Sequence, residues 1–327
     1  MAFKIVGYRQ MLQIIVMFMI VQFFGLLLTV LSLSGATYQQ IYTNGAFSNT
    51  INVIFYGAYI IIMSALIILF FKYFNGKIVF RIFEAVIIFF ASFVVFSIIF
   101  GLFSFSNIMV TSYLNVGIIA SIIFALLLVY LKNRWQRLRN TTAIIASVGV
   151  GVILGLSFNF FDAMLFMCII AVYDFIAVFI TKHMISLANI VQDNNLAFMV
   201  GVNEVAGMPE HKISKEQVFE LKSAYSKTKS SAIKQLITDK MVPVSANVAL
   251  GTGDLSVPLM VAVSAAYASS VIANFILSFF VIFGGIFGLI LTMFILRKYK
   301  RALPAIPPLL FGVLVFVGLY YLIIYLV

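Results

Sequence analysis

The chain alternates long apolar runs with short polar breaks, and the runs have the length of helices that cross a membrane rather than of strands. Met11 to Leu33 is the first, Ile51 to Phe71 the second, Val79 to Phe103 the third, Leu114 to Leu131 the fourth, Thr141 to Phe158 the fifth and Ala163 to Thr181 the sixth. A long polar linker, rich in lysine, follows from His183 to Asn247. Val248 to Tyr267 is then the seventh run, Val271 to Leu296 the eighth and Pro304 to Val327 the ninth. The first run exceeds the ~7–15 residue core of a signal peptide and lacks an obvious small-x-small cleavage site, so it reads as a retained helix. The pattern predicts an all-α polytopic membrane protein with nine transmembrane helices. It divides into helices 1–6 (1–182), a cytoplasmic loop (183–247) and helices 7–9 (248–327).

Composition agrees, because 64% of the 327 residues are hydrophobic and only 9% charged, which excludes a soluble domain. The net charge of +11 would suggest nucleic acid in a soluble protein, but its distribution gives another explanation. If the nine runs alternate in direction, all 21 Lys and Arg residues fall on the side of the N-terminus. The positive-inside rule then places the N-terminus and the linker in the cytoplasm and the C-terminus outside. Localisation is therefore the cell membrane, with the lipid bilayer as partner and no nucleic acid. A homo-oligomer is compatible with the sequence.

Two acids stand in apolar surroundings on consecutive runs: Asp174 in Ala-Val-Tyr173-Asp174-Phe, and Asp254 in Gly251-Thr252-Gly253-Asp254-Leu. An isolated carboxylate there is costly to ionise, so a pair on adjacent helices points to joint work. With the sixth run pointing inward and the seventh starting inside, both lie roughly 10 Å below the cytoplasmic surface at ~1.5 Å per residue. Two facing carboxylates hold one proton between them near neutral pH, the state in which one acts as base and the other as acid. The bland alternative is two lone buried acids, each hydrogen-bonded to Tyr or Ser neighbours.

Gly251 and Gly253 let another backbone approach the second acid. Pro258, one turn later, kinks the seventh helix. Tyr173 sits about 100° around its helix from Asp174, which suits shaping the site rather than catalysis. Pro304-Ala305-Ile306-Pro307-Pro308 cannot begin as ordinary helix, and such backbone at membrane depth belongs in a cavity wall. Met241-Val-Pro243-Val-Ser245 could pair with an extended substrate, although a simple loop is the plainer reading. Ser214 to Lys229 carries a capping box and an amphipathic pattern, a basic helix for the inner membrane surface.

The Tyr173-Asp174, Gly251-Thr252-Gly253-Asp254 and Pro304-Ala305-Ile306 motifs, in this order, resemble the presenilin and signal-peptide-peptidase family of intramembrane aspartyl proteases. Ile306 stands where the family pattern has Leu, and Thr252 where many members have Leu. The resemblance implies that Asp174 and Asp254 are catalytic and that Tyr173, Gly251, Thr252, Gly253, Pro304, Ala305 and Ile306 shape the site or bind substrate. It implies transmembrane helices as substrates, and neither metal nor cofactor. The orientation is that of presenilins, with the compact loops of a microbial, archaeal-type homologue. The alternatives are a proton- or cation-coupled carrier or channel using the buried acids, and a prepilin-peptidase-like protease, against which the missing cysteine motif speaks.

Other residues read more plainly. Cys168, the one cysteine, packs in its span. Glu84 pairs with Arg81 three residues earlier on the same helix, both reaching the interface. His183 and His211 have no companions at metal-ligand spacing. Asn140-Thr-Thr matches a glycosylation acceptor by chance, since it lies in the basic cytoplasmic loop. Gly151-x-x-x-Gly155 and Gly284-x-x-x-Gly288 allow close helix packing.

Overall fold

The computed structural model describes residues 8–33, 77–103, 116–135, 138–180, 197, 199–209, 241–267, 271–299 and 303–326. The second apolar run, Ile51 to Phe71, and the amphipathic helix expected after Ser214 lie outside them, as do His183 and His211. The elements in order are α1 (Tyr8–Leu33), α2 (Lys77–Phe103), α3 (Val116–Arg134), α4 (Arg139–Ser157), α5 (Phe160–Phe175), β1 (Met199–Pro209), β2 (Met241–Gly251), α6 (Thr252–Tyr267), α7 (Val271–Tyr299) and α8 (Ile306–Leu326). A π-helical stretch, Ile176–Ile180, continues α5.

Among the described residues, seven helices are long and apolar enough to cross a membrane. Their outward faces carry large apolar side chains, such as Ile123, Leu126 and Tyr130 on α3 and Phe161 and Ile180 at the two ends of the α5 span. In water this surface would drive aggregation; against acyl chains it is the natural exterior. Several buried hydroxyls satisfy themselves on their own helix: Thr29 donates to Gly25 O (2.9 Å), Ser147 to Ala143 O (2.8 Å) and Thr292 to Gly288 O (2.8 Å).

The centre of the bundle is α6, whose side chains from Leu255 to Ala266 are all buried. It packs against α1, α4, α5 and α7. Glycines on its neighbours make the approach close: a Cβ on Gly151 would stand 2.7 Å from Leu259 Cδ2, and one on Gly155 would stand 2.5 Å from Val263 Cβ. Gly25 of α1 opens onto the same Leu259. Gly284 and Gly288 of α7 do the same for the α8 backbone, at Gly312 and at Pro308–Leu309. Both glycine motifs thus serve close packing, as expected, because van der Waals contact drives helix association where lipid removes the hydrophobic term.

Four expectations are corrected. The linker is not all loop and helix: Met241–Gly251 is a strand, antiparallel to Met199–Pro209, with Met199 opposite Gly251 and Pro209 opposite Met241. The seventh helix accordingly starts at Thr252 rather than Val248. Its 16 residues rise about 24 Å, short of the roughly 30 Å hydrocarbon core, and β2 supplies the approach. Glu84 does not reach the interface with Arg81. It is buried, ion-paired with Lys132 at the end of α3, and accepts the Ala197 N–H ahead of β1. Packing of α2 on α3 brings Lys132 to it, and a paired, hydrogen-bonded carboxylate tolerates burial.

Pro304 opens a shorter irregular segment than expected. Leu303 to Ala305 is non-helical, but α8 begins at Ile306 and contains Pro307 and Pro308. Prolines are tolerated in a first turn, where the missing N–H groups have no helical acceptor.

Candidate active site

Asp254 stands in the first turn of α6, immediately after β2 ends at Gly251. Its Oδ2 accepts the Gly251 N–H at 3.2 Å. An acid at the third helical position reaching back to the N–H of the capping residue is half of a capping box, so the carboxylate is held where the helix dipole favours negative charge. Space is tight at Gly251, where a Cβ would lie 3.2 Å from that same Oδ2, whereas one on Gly253 would meet nothing within 4 Å. Thr252 sits beside the acid with its carbonyl bonded by Ser256 Oγ (2.7 Å). Pro258 lies within α6 and removes the helical donor to the Asp254 carbonyl.

Asp174 lies in the last turn of α5 and is 5% exposed. It too rests on a helix N-terminus, but on that of another helix. Its Oδ2 accepts the Ile306 N–H at 3.2 Å, and the Ala305 N–H lies close enough to act on the same carboxylate. The Pro304–Ile306 segment therefore does more than line the site. With Pro304, Ala305 and Ile306 all buried, its backbone turns the Ile306 N–H onto an acid 132 positions earlier in the chain.

The two carboxylates are close enough for the Asp174 charge to act on Asp254. The structure thus brings together Asp174, Asp254, Gly251, Ala305 and Ile306, with Thr252, Gly253 and Pro304 adjoining in sequence. Tyr173 precedes Asp174 on α5 and is half-buried.

Sequence reading missed Gln22. Wholly buried on α1, its Nε2 donates to Leu255 O at 3.0 Å, one residue past Asp254, and its Oε1 has no partner among the described residues. An amide in the middle of an apolar run was the available signal.

The family model described as signal-peptide peptidase, presenilin aspartyl protease, matches residues 15–325. The chain belongs to that family. It is an intramembrane aspartyl protease and a multi-pass integral membrane protein. A solved structure of a presenilin family intramembrane aspartate protease has the same fold, with TM-score 0.59 at 15% identity over 96% of this chain and 99% of that one. No curated protein sequence matches.

Proposed function

We propose that Asp174 and Asp254 are the two carboxylates of this presenilin-family protease and that they activate one water against a peptide bond inside a transmembrane helix. The observation that supports the assignment is their arrangement: two acids from separate helices, Asp254 bonded through Oδ2 to the Gly251 N–H and Asp174 through Oδ2 to the Ile306 N–H, each at a helix N-terminus, with the Asp174 charge acting on Asp254. The pair shares one proton. The ionised carboxylate takes a proton from water as its oxygen adds to the peptide carbonyl carbon. The protonated partner hydrogen-bonds the carbonyl oxygen, and the leaving nitrogen is then protonated as the C–N bond breaks.

A peptide bond within a helix is shielded, so the substrate must unwind locally before attack. Extended enzyme backbone can hold the freed strand, and β2 leads straight to Asp254. Asn140 bonds both backbone groups of Gly201, so Gly201 turns them away from β2. By alternation along the ladder the outward groups of β2 are those of Met241, Pro243, Ser245, Asn247, Ala249 and Gly251. The Gly251 N–H does point outward, to Asp254. Pro243 is tolerated there because its missing N–H faces no ladder partner. Tyr173, Thr252, Gly253 and Pro304 wall this space.

The orientation is part of the proposal: nine helices, the ninth supplied by Ile51–Phe71, the 183–247 segment cytoplasmic and the C-terminus outside. Substrates then enter with their N-terminus outside. Two measurements test these points. Purified protein in detergent, given several transmembrane peptides, is expected to cut within the apolar segment by mass spectrometry; failure to cut any of them would favour a carrier. Cysteine labelling in intact cells is expected to leave Lys212–Lys240 protected, and labelling of that region from outside would reverse the topology and the substrate class.

A further inference from the structure

We infer that Asn140, at the start of α4, is a positioning residue whose amide clamps β1 and, through β2, holds the Gly251 N–H on Asp254; this rests on the assignment of Asp254 above. Asn140 Nδ2 donates to Gly201 O at 2.8 Å, and the Gly201 N–H donates back to Asn140 Oδ1 at 3.3 Å. One side-chain amide thus satisfies both backbone groups of one strand residue, as a neighbouring strand would. Gly201 faces Ala249, and two residues further along the same ladder Met199 faces Gly251. The clamp therefore acts at the foot of the hairpin, beside the last pair before Asp254.

Other contacts gather at the same foot. Ala197 is buried and its N–H is held by Glu84, itself ion-paired with Lys132. Val200 and Leu250 are buried in the bundle core. Together α2, α3 and α4 seize the start of β1, so the end of β2 is placed by the membrane bundle whatever the intervening linker does. The clamp has a second effect. By occupying the outward groups of Gly201 it closes that edge to strand addition and leaves β2 as the open one.

The test compares wild type, Asn140→Leu, Asn140→Asp and Asp254→Asn as full-length protein in detergent, with one transmembrane peptide as substrate. Asn140→Leu loses both bonds, and Asn140→Asp keeps the acceptor for the Gly201 N–H. A displacement approaching 1 Å at Asp254 is expected to lower kcat by about 10- to 100-fold in the Leu variant, with KM within about 2-fold. The Asp variant is expected to recover part of that loss. Amide exchange by mass spectrometry is expected to quicken in Met199–Val202 and Val248–Gly251 alone. Wild-type kcat in Asn140→Leu, with Asp254→Asn inactive, overturns the inference and leaves the aspartate assignment standing. Exchange that quickens throughout the helices, with kcat falling in step in both Asn140 variants, overturns it too, since the residue would then serve the fold at large. Should the Leu variant fail to fold, the Asp variant decides by the same kcat and exchange readings. Full cleavage by Asp254→Asn would sink the aspartate assignment instead.

Discussion

Asp174→Asn and Asp254→Asn are each expected to lower the rate of peptide cleavage on the order of 10³-fold or more, and the double variant to be no slower than either single one. The magnitude follows from losing a positioned proton donor or acceptor, which contributes about 10²- to 10⁴-fold, together with loss of the shared proton that gives the partner its role. Non-additivity follows from the proposed mechanism, in which the two acids act as one unit, so that once one is gone the other has no task left to lose. Asparagine is the right replacement. Its side-chain oxygen can still accept the Gly251 N–H in place of Asp254, or the Ile306 N–H in place of Asp174, so both helix N-termini stay satisfied. Alanine would strip those acceptors and confuse a lost cap with lost chemistry. Turnover of mapped peptide products by purified variants measures the effect. Either Asn variant retaining a tenth or so of wild-type turnover would remove that residue from the catalytic pair.

The two acids at helix N-termini and the Pro304–Ile306 segment beside Asp174 were legible as structural features because each rests on a local pattern: an acid among apolar residues, and a proline that interrupts a span. The limits of the described helices were legible within a few residues because apolar runs give way there to polar or charged residues. The hairpin was not. Met199–Pro209 and Met241–Gly251 pair across a long insertion, and Pro243 argues against a strand unless its missing N–H is known to face outward. Once β2 is a strand, Asp254 moves from within a helix to its first turn, and that shift gives the acid its Gly251 donor. Glu84 failed for a related reason. Sequence offers it only neighbours on its own helix, whereas the partners it has, Lys132 and the Ala197 N–H, come from α3 and the linker by tertiary packing. Asn140 carried a misleading local motif, and its role depends wholly on a strand that sequence could not supply.

Gly288→Ala is expected to destabilise the protein by about 1–3 kcal/mol, the ordinary cost of overpacking, while Gly318→Ala leaves stability unchanged or slightly raised. Both glycines lie in apolar helices, α7 and α8, so composition does not separate them. Space does. A Cβ on Gly288 would stand 2.5 Å from Pro308 O and 2.6 Å from Leu309 Cα, backbone atoms that cannot rotate away, whereas one on Gly318 would meet nothing within 4 Å. At Gly318 the added methyl brings only the helix propensity of alanine, up to about 1 kcal/mol in favour. At Gly288 the first turn of α8 must retreat from α7, and Ile306, which gives its N–H to Asp174, belongs to that turn. A retreat of about 1 Å there is expected to cut turnover by about 10²-fold in addition to the stability loss. Thermal unfolding and peptide cleavage by the two variants separate these effects. Stability lost with turnover intact would mean that the spacing of α7 and α8 serves the fold alone. Wild-type values for both would mean that the helices part without cost and that Asp174 does not depend on where α8 begins.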